Sequence, residues 1–274
     1  MIKSTPMLYL MMKYKPLFAL LFLFLVGCTS TVPPAQNSSG TKVAPTQVML
    51  LATLHGLHKS NPRYTYNDVY ELIRRYNPDV IGVEIRPEDI GQDTTYLKQL
   101  YPLEMRQITV LFPQNKVYGV DWYGEEAEGK LLPDNVFKGA NKQLTEIKQL
   151  ERDLNTDSSL SAQLKLIAVL PQKMVALASS SSPAEFNNSG HYDLVAELFY
   201  KQMDIMLQGT PYEAYAQFNR RRDEHIGHNI ITLIKKNPGR KLIFVLGANH
   251  RFAAEKNIRE LLGDQVRPVE VPEI

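Results

Sequence analysis

With 274 residues and a formal net charge of only +2, the chain is long enough to bury the core of one large α/β domain and too nearly neutral to suit nucleic acid. Its single cysteine, Cys28, excludes an internal disulfide and any metal site built on a set of thiolates.

Taken in order, the chain opens with a basic segment (Lys3, Lys13, Lys15) and an apolar run, Pro16–Val26, that ends in Leu25-Val26-Gly27-Cys28. Basic flank, short apolar stretch and small residue before cysteine have the form of a bacterial lipoprotein signal. Residues 1–27 are therefore expected to be removed on export. The likeness to lipoprotein cleavage sites implies a diacylglyceryl (palmitate-type) lipid on Cys28 and membrane attachment in the cell envelope. Thr29 rather than an acid after the cysteine favours the outer membrane in a Gram-negative host. Loss of the three lysines and no acids leaves a formal charge of −1. Residues 28–45 are rich in Ser, Thr, Pro and Gly and read as a flexible tether, followed by a domain over 46–274.

The domain begins with Val48–His58, VMLLATLHGLH, an apolar run that stops in two histidines. Continuous rather than alternating apolar character marks strands covered on both faces, as in parallel sheets. Asp79–Ile85 (DVIGVEI), Lys116–Asp121 (KVYGVD) and Lys241–His250 (KLIFVLGANH) fit the same template. The fold class is thus α/β, a mostly parallel central sheet flanked by helices. Between the first two strands, Val69, Leu72, Ile73 and Tyr76 fall at helical spacing behind a cap at Thr65 or Asn67, and Asn77-Pro78 ends that helix. Residues 93–105 predict a second helix, and Ile108–Phe112 a short strand or the start of the one ending at Asp121. Residues 124–210 read as a helical insertion over one end of the sheet, with helices at 140–154, 160–178 and 191–208 and a solvent-exposed serine turn at 179–182. A long helix from Pro211 to about Lys236 precedes the last GANH strand, a helix over 251–262 and a closing edge strand over 266–271.

Open parallel sheets bind ligands beyond the carboxyl ends of their strands, and four strand ends here carry His55, Glu84, Asp121 and His250. Adjacent parallel strands would bring these groups to one rim. Glu84 closes an apolar run, so it must be solvated, metal-bound or paired, with Arg86 or Arg222 as partner. Asp121 is a ligand or a helix cap. Asn249 reads as the N-cap of the last helix beside His250. His58 follows His55 closely, and His225 with His228 offers an i, i+3 pair on the long helix without the glutamate of an HExxH site.

ATLH (52–55), VEIR (83–86), RRDEHIGHNI (221–230) and LGANH (246–250), in that order, resemble the TraB/GumN/Tiki-like group, within the wider superfamily that includes erythromycin esterase and the ChaN haem-binding lipoprotein. That group is marked by two GxxH motifs at strand ends, a glutamate after the second strand and an arginine on a helix before the last motif. The resemblance implies His55 and His250 as the motif histidines, Glu84 as the glutamate and Arg222, or Arg221, as the arginine. Ala52 stands where the family has glycine, which removes the freedom of positive φ from that position.

What the resemblance implies is an extracytoplasmic hydrolase, in the Tiki-like case a metal-dependent peptidase. His55, His250 and Glu84 would hold Mn²⁺, Co²⁺, Fe²⁺ or Zn²⁺ and Arg222 would face the oxyanion. A metal-free alternative uses His55 as general base oriented by Glu84. Two other readings stay open: a ChaN-like haem or ligand binder using a histidine or Tyr123, and a structural envelope protein whose rim residues are salt bridges. The substrate is a small molecule or peptide.

Overall fold

The computed structural model describes residues 44–274, so the predicted signal segment, Cys28 and most of the tether lie outside the described residues. Five strands form one sheet: β1 (Thr46–Thr53), β2 (Val80–Val83), β3 (Val117–Gly119), β4 (Lys241–Gly247) and β5 (Val266–Pro268). Their order is β3-β2-β4-β1-β5, and every pairing is parallel. Although β4 comes late in the chain, it inserts between β1 and β2, with Thr53 opposite Gly247 and Val83 opposite Val245. The four strands ending near His55, Glu84, Asp121 and His250 are therefore contiguous, and their carboxyl ends form one rim.

Helices account for the unbroken apolar runs by covering both faces. On one side, Met49, Leu51, Ile81, Val83, Ile243 and Val245 pack against α1 (Tyr66–Tyr76), α3 (Leu103–Leu111), α6 (Val169–Ser180) and α8 (His191–Leu207). On the other, Val48, Val80, Leu242, Phe244 and Leu246 meet Ile226, Ile230 and Ile234 of α9 (Glu213–Lys236) and Ile258 and Leu262 of α10 (Ala248–Leu262). Thr65 and Asp68 form a capping box on α1, and Asn77 ends it in the left-handed conformation before Pro78.

Three local expectations change. Residues 93–105 are two helices, α2 (Thr94–Leu100) and α3, because Tyr101 precedes Pro102 and is held extended at φ −124°. Ile108–Phe112 is the end of α3 rather than a strand: Glu104, Met105 and Ile108 are buried while Val110 and Leu111 are exposed, a helical and not an alternating pattern. The serine run is no free turn. Ser179 and Ser180 complete α6, and Ser182 caps the short α7 (Pro183–Asn188) through a capping box with Glu185.

The insertion is helical as expected, comprising α4 (Lys142–Thr156), α5 (Ser161–Ile167) and α6 to α8, though the single helix expected over 160–178 is two, α5 and α6, meeting at Ala168. Part of it, Leu144, Ile147 and Lys148 of α4 and Tyr200 of α8, walls a cavity of about 420 Å³ that opens onto Arg222, Asp223 and His250. The closing strand is short, with Val266–Pro268 paired to Thr46–Val48 at the sheet edge.

Candidate active site

The chain leaves β1 through a sharp bend. Leu54 sits at φ −101°, ψ 1°, and His55 at φ 49°, one of two non-glycine residues with positive φ among the described residues. Such a conformation is sparsely populated outside glycine and survives where the surroundings enforce it. Here Glu104 of α3 does so. Its Oε1 lies 2.6 Å from His55 Nδ1 and accepts from Thr53 Oγ1 at 3.1 Å. Ala52 is a regular buried strand residue, so alanine imposes no strain there; the left-handed position is His55 itself.

Glu84 follows β2 and is nearly buried. Its Oε1 accepts from Arg222 Nη2 at 2.9 Å, and its Oε2 accepts the Gly247 N–H at the end of β4. Arg222 also makes a two-point bond to Asp121, Nε to Oδ1 and Nη2 to Oδ2, each 2.7 Å. This planar, bidentate pairing is what a guanidinium does and an ammonium cannot. Tyr123 lies beneath the same guanidinium, 5.2 Å from its ring centroid.

His250 stands in the first turn of α10. Its Nδ1 is 2.6 Å from Asp223 Oδ1 and its Nε2 is 3.5 Å from Glu84 Oε1. Gly247, opposite, has no side chain to spare: a Cβ there would overlap His55 Nε2 and crowd Glu84 Oε2. The His55 ring and the Glu84 carboxylate thus converge on one backbone position, and His250 reaches the same carboxylate.

Charge follows from this packing. Burial works against ionisation of Glu84, but His250, Arg222 and His55 outweigh it and bring its pKa down from 4.5 to about 2. Burial also opposes the charge on both histidines. For His55 the Glu104 hydrogen bond and the Glu84 charge prevail, and for His250 the Glu84 charge and the Asp223 bond do. Both pKa values lie above the ordinary 6.5.

Sequence reasoning named His55, Glu84, Asp121, Arg222 and His250, and all five meet here. Asp121 is neither a cap nor a free ligand but the bidentate partner of Arg222. Arg220 and Arg221 pair instead with Asp204 and Glu125, and Arg86 turns from the rim to Asp89 and the carbonyls of Ala127 and Lys130. His58 does not join the site: its Nε2 accepts the Leu54 N–H and its Nδ1 donates to the Tyr64 carbonyl, so both ring nitrogens serve the backbone. His225 stacks on Trp122 at 4.2 Å near Glu128, and His228 is exposed. Asn249 is inside α10 rather than its cap; Gly247 holds the cap position. Two residues went unassigned, Asp223 and Glu104. Glu104 had a signal: helical spacing sets this acid on the apolar face with Met105 and Ile108.

The donor set does not fit a metal ion. No group of three or more His, Cys, Asp or Glu donors is arranged to hold one among the described residues. Both Glu84 oxygens are engaged, one by a guanidinium that already supplies positive charge there. The Tyr123 hydroxyl donates to the Leu100 carbonyl at 3.3 Å.

Fold and site together define a parallel α/β protein with a paired histidine–carboxylate rim. No family model matches the chain, and no curated protein matches it. Among solved structures, a histidine-to-asparagine mutant of erythromycin esterase EreC in its open conformation is similar over 82% of this chain and 69% of that chain, at 12% identity and a TM-score of 0.32.

Proposed function

We propose that the chain is a hydrolase of ester or amide bonds that works by acid–base catalysis with His55, His250 and Arg222 and without a metal. One observation carries this reading: two histidines, each held through Nδ1 by its own carboxylate at 2.6 Å, lie beside a shared Glu84–Arg222 pair, and of these groups His250 and Arg222 line a cavity. A carboxylate on Nδ1 fixes the tautomer and leaves Nε2 for proton transfer.

The two histidines are not equivalent. His250 is bracketed by Asp223 and Glu84, which favours the imidazolium and the role of acid. His55 has Glu104 on one nitrogen and 39% of its side chain exposed, which suits a base reached by water. In the reaction, His55 Nε2 takes a proton from water as the water oxygen bonds to the substrate carbonyl carbon. The carbonyl oxygen becomes anionic and faces Arg222, whose Nη1 makes no hydrogen bond among the described residues and whose side chain lines the cavity. As the C–O or C–N bond breaks, His250 gives its Nε2 proton to the leaving oxygen or nitrogen.

The basic segment, apolar run and Cys28 support a lipid-anchored protein of the cell envelope acting on a small molecule or peptide. A radiolabelled palmitate signal on the full chain that vanishes in Cys28→Ser would bear this out.

The test of the reaction is hydrolysis of p-nitrophenyl esters and a fluorogenic peptide set by residues 29–274, with and without a chelator. Turnover that survives the chelator and drops to the buffer rate in the His55→Ala, His250→Ala double variant is expected. Turnover lost in the chelator and restored by one divalent ion would overturn the metal-free mechanism.

A further inference from the structure

The turn that carries His250 is secured from the helical insertion. Tyr192 Oη donates to Asn249 Oδ1 at 2.7 Å, and the next residue, Asp193, takes the Arg251 guanidinium in a two-point ion pair. Asn249 and Arg251 flank His250 on either side. Tyr192 and Arg251 are 8% and 7% exposed, so water does not compete for these bonds.

The first turn of a helix is its weakest, because its N–H groups have no partners within the helix. Side chains at the cap usually compensate. At α10 the cap is Gly247, which makes no side-chain hydrogen bond, and a larger residue there would run into His55. The constraint that a cap would supply comes instead from α8. Tyr192, Asp193 and Arg251 do not line the cavity beside His250, whereas Tyr200, two turns further along α8, does.

We propose that Tyr192 and Asp193 are positioning residues for His250: by holding Asn249 and Arg251 they set the ring where Asp223 and Glu84 both reach it. The insertion is then part of the catalytic apparatus as well as a wall, and a substrate seated against Tyr200 bears on the same helix that aims His250. The kinetic side of this proposal rests on the hydrolase reading above, but the placement of the ring does not.

Two perturbations test it. Tyr192→Phe removes one hydroxyl and keeps the packing. Asp193→Leu with Arg251→Met removes the ion pair without stranding a buried charge, the arrangement that protein interiors tolerate best. In the wild-type protein the His250 ring, followed by NMR, is expected to titrate above its ordinary 6.5, because Glu84 and Asp223 favour its charged form. In the triple variant its midpoint is expected to move down toward that ordinary value as Asp223 and Glu84 lose register, while His55 keeps its own. On a p-nitrophenyl ester, kcat should fall about tenfold with KM within about twofold, since misplacing a proton donor slows the chemical step more than binding. The swapped pair, Asp193→Arg with Arg251→Asp, should recover most of both. A folded triple variant whose His250 titration matches wild type would overturn the proposal. Absence of hydrolysis in every protein, with the His250 shift intact, would instead overturn the hydrolase reading and leave the positioning role standing.

Discussion

Glu104 Oε1 lies 2.6 Å from His55 Nδ1, from a carboxylate that is wholly buried on a neighbouring helix. The same oxygen accepts from Thr53, and the other carboxylate oxygen has no hydrogen-bond partner among the described residues. A buried acid left half satisfied is costly, and the bond from Glu104 to His55 offsets part of that cost. The expected consequence is strong dependence on its charge. Glu104→Gln keeps the shape but can donate to Nδ1 and so favours the wrong tautomer; kcat should fall on the order of 10²- to 10³-fold, somewhat less than a comparable change in a serine-protease triad. Steady-state kinetics on the p-nitrophenyl ester decides this, and a Gln variant within twofold of wild type would remove Glu104 from the mechanism.

That dyad also marks how far the sequence could be read. Buried parallel strands are continuous apolar runs, so a polar residue at the end of each stands out, and His55, Glu84, Asp121 and His250 were visible for that reason. Glu104 was not, because α3 lies in a stretch whose apolar residues resemble a strand at Ile108–Phe112, and only the break at Pro102 sets its helical phase. Strand order was equally hidden: β4 lies between β1 and β2 although more than 150 residues separate it from β2 in the chain. The histidines of the long helix misled for the opposite reason. Spacing shows which residues share a helix face, not which face meets the sheet, and α9 turns Arg222 and Asp223 to the rim and His225 to Trp122.

Arg222 joins two carboxylates that would otherwise repel. Its side chain is 20% exposed, while those of Glu84 and Asp121 are 7% and 0% exposed. Arg222→Met should destabilise the protein by about 3 to 5 kcal/mol, the usual cost of stranding buried charge. Adding Glu84→Gln and Asp121→Asn should recover most of the stability and none of the activity. Urea unfolding of the single and triple variants separates the arginine's structural part from its chemical part; a stable and active Arg222→Met would refute both.

The pKa shifts fix the direction of the pH response. Both histidines have folded-state values above their ordinary 6.5, so their contribution to stability is complete below about pH 6.5 and is lost as the pH rises through the folded values. Glu84 behaves oppositely. Its value drops from 4.5 to about 2 on folding, so its contribution is present above pH 4.5 and fades as the pH falls toward 2. Among these groups, stabilisation is therefore greatest between about pH 4.5 and 6.5. Comparing urea midpoints of wild type and Glu84→Gln, the difference should shrink below pH 4.5. Activity should be bell-shaped, with the acid limb set by His55 losing its base form and the alkaline limb by His250 losing its proton. A flat kcat/KM profile from pH 5 to 9 would contradict that assignment.

Two small residues at corresponding places in the two motifs should respond in opposite ways. Gly247 leaves room for His55 Nε2 and Glu84 Oε2, and its N–H is the one that binds Glu84. Gly247→Ala should therefore cost activity far more than stability, since the methyl group intrudes where the imidazole must move a proton. Ala52 is buried in β1, with its N–H bonded to Asn187 Oδ1 at 2.7 Å and its carbonyl to Tyr64 Oη at 2.6 Å. Ala52→Gly places glycine at a position of ordinary strand geometry, so it should lower stability by about 0.5 to 1 kcal/mol through chain entropy and leave kcat unchanged. Thermal unfolding and ester turnover of the two variants provide the check. A gain in activity from Ala52→Gly would mean that the first motif needs a backbone freedom that β1 does not display.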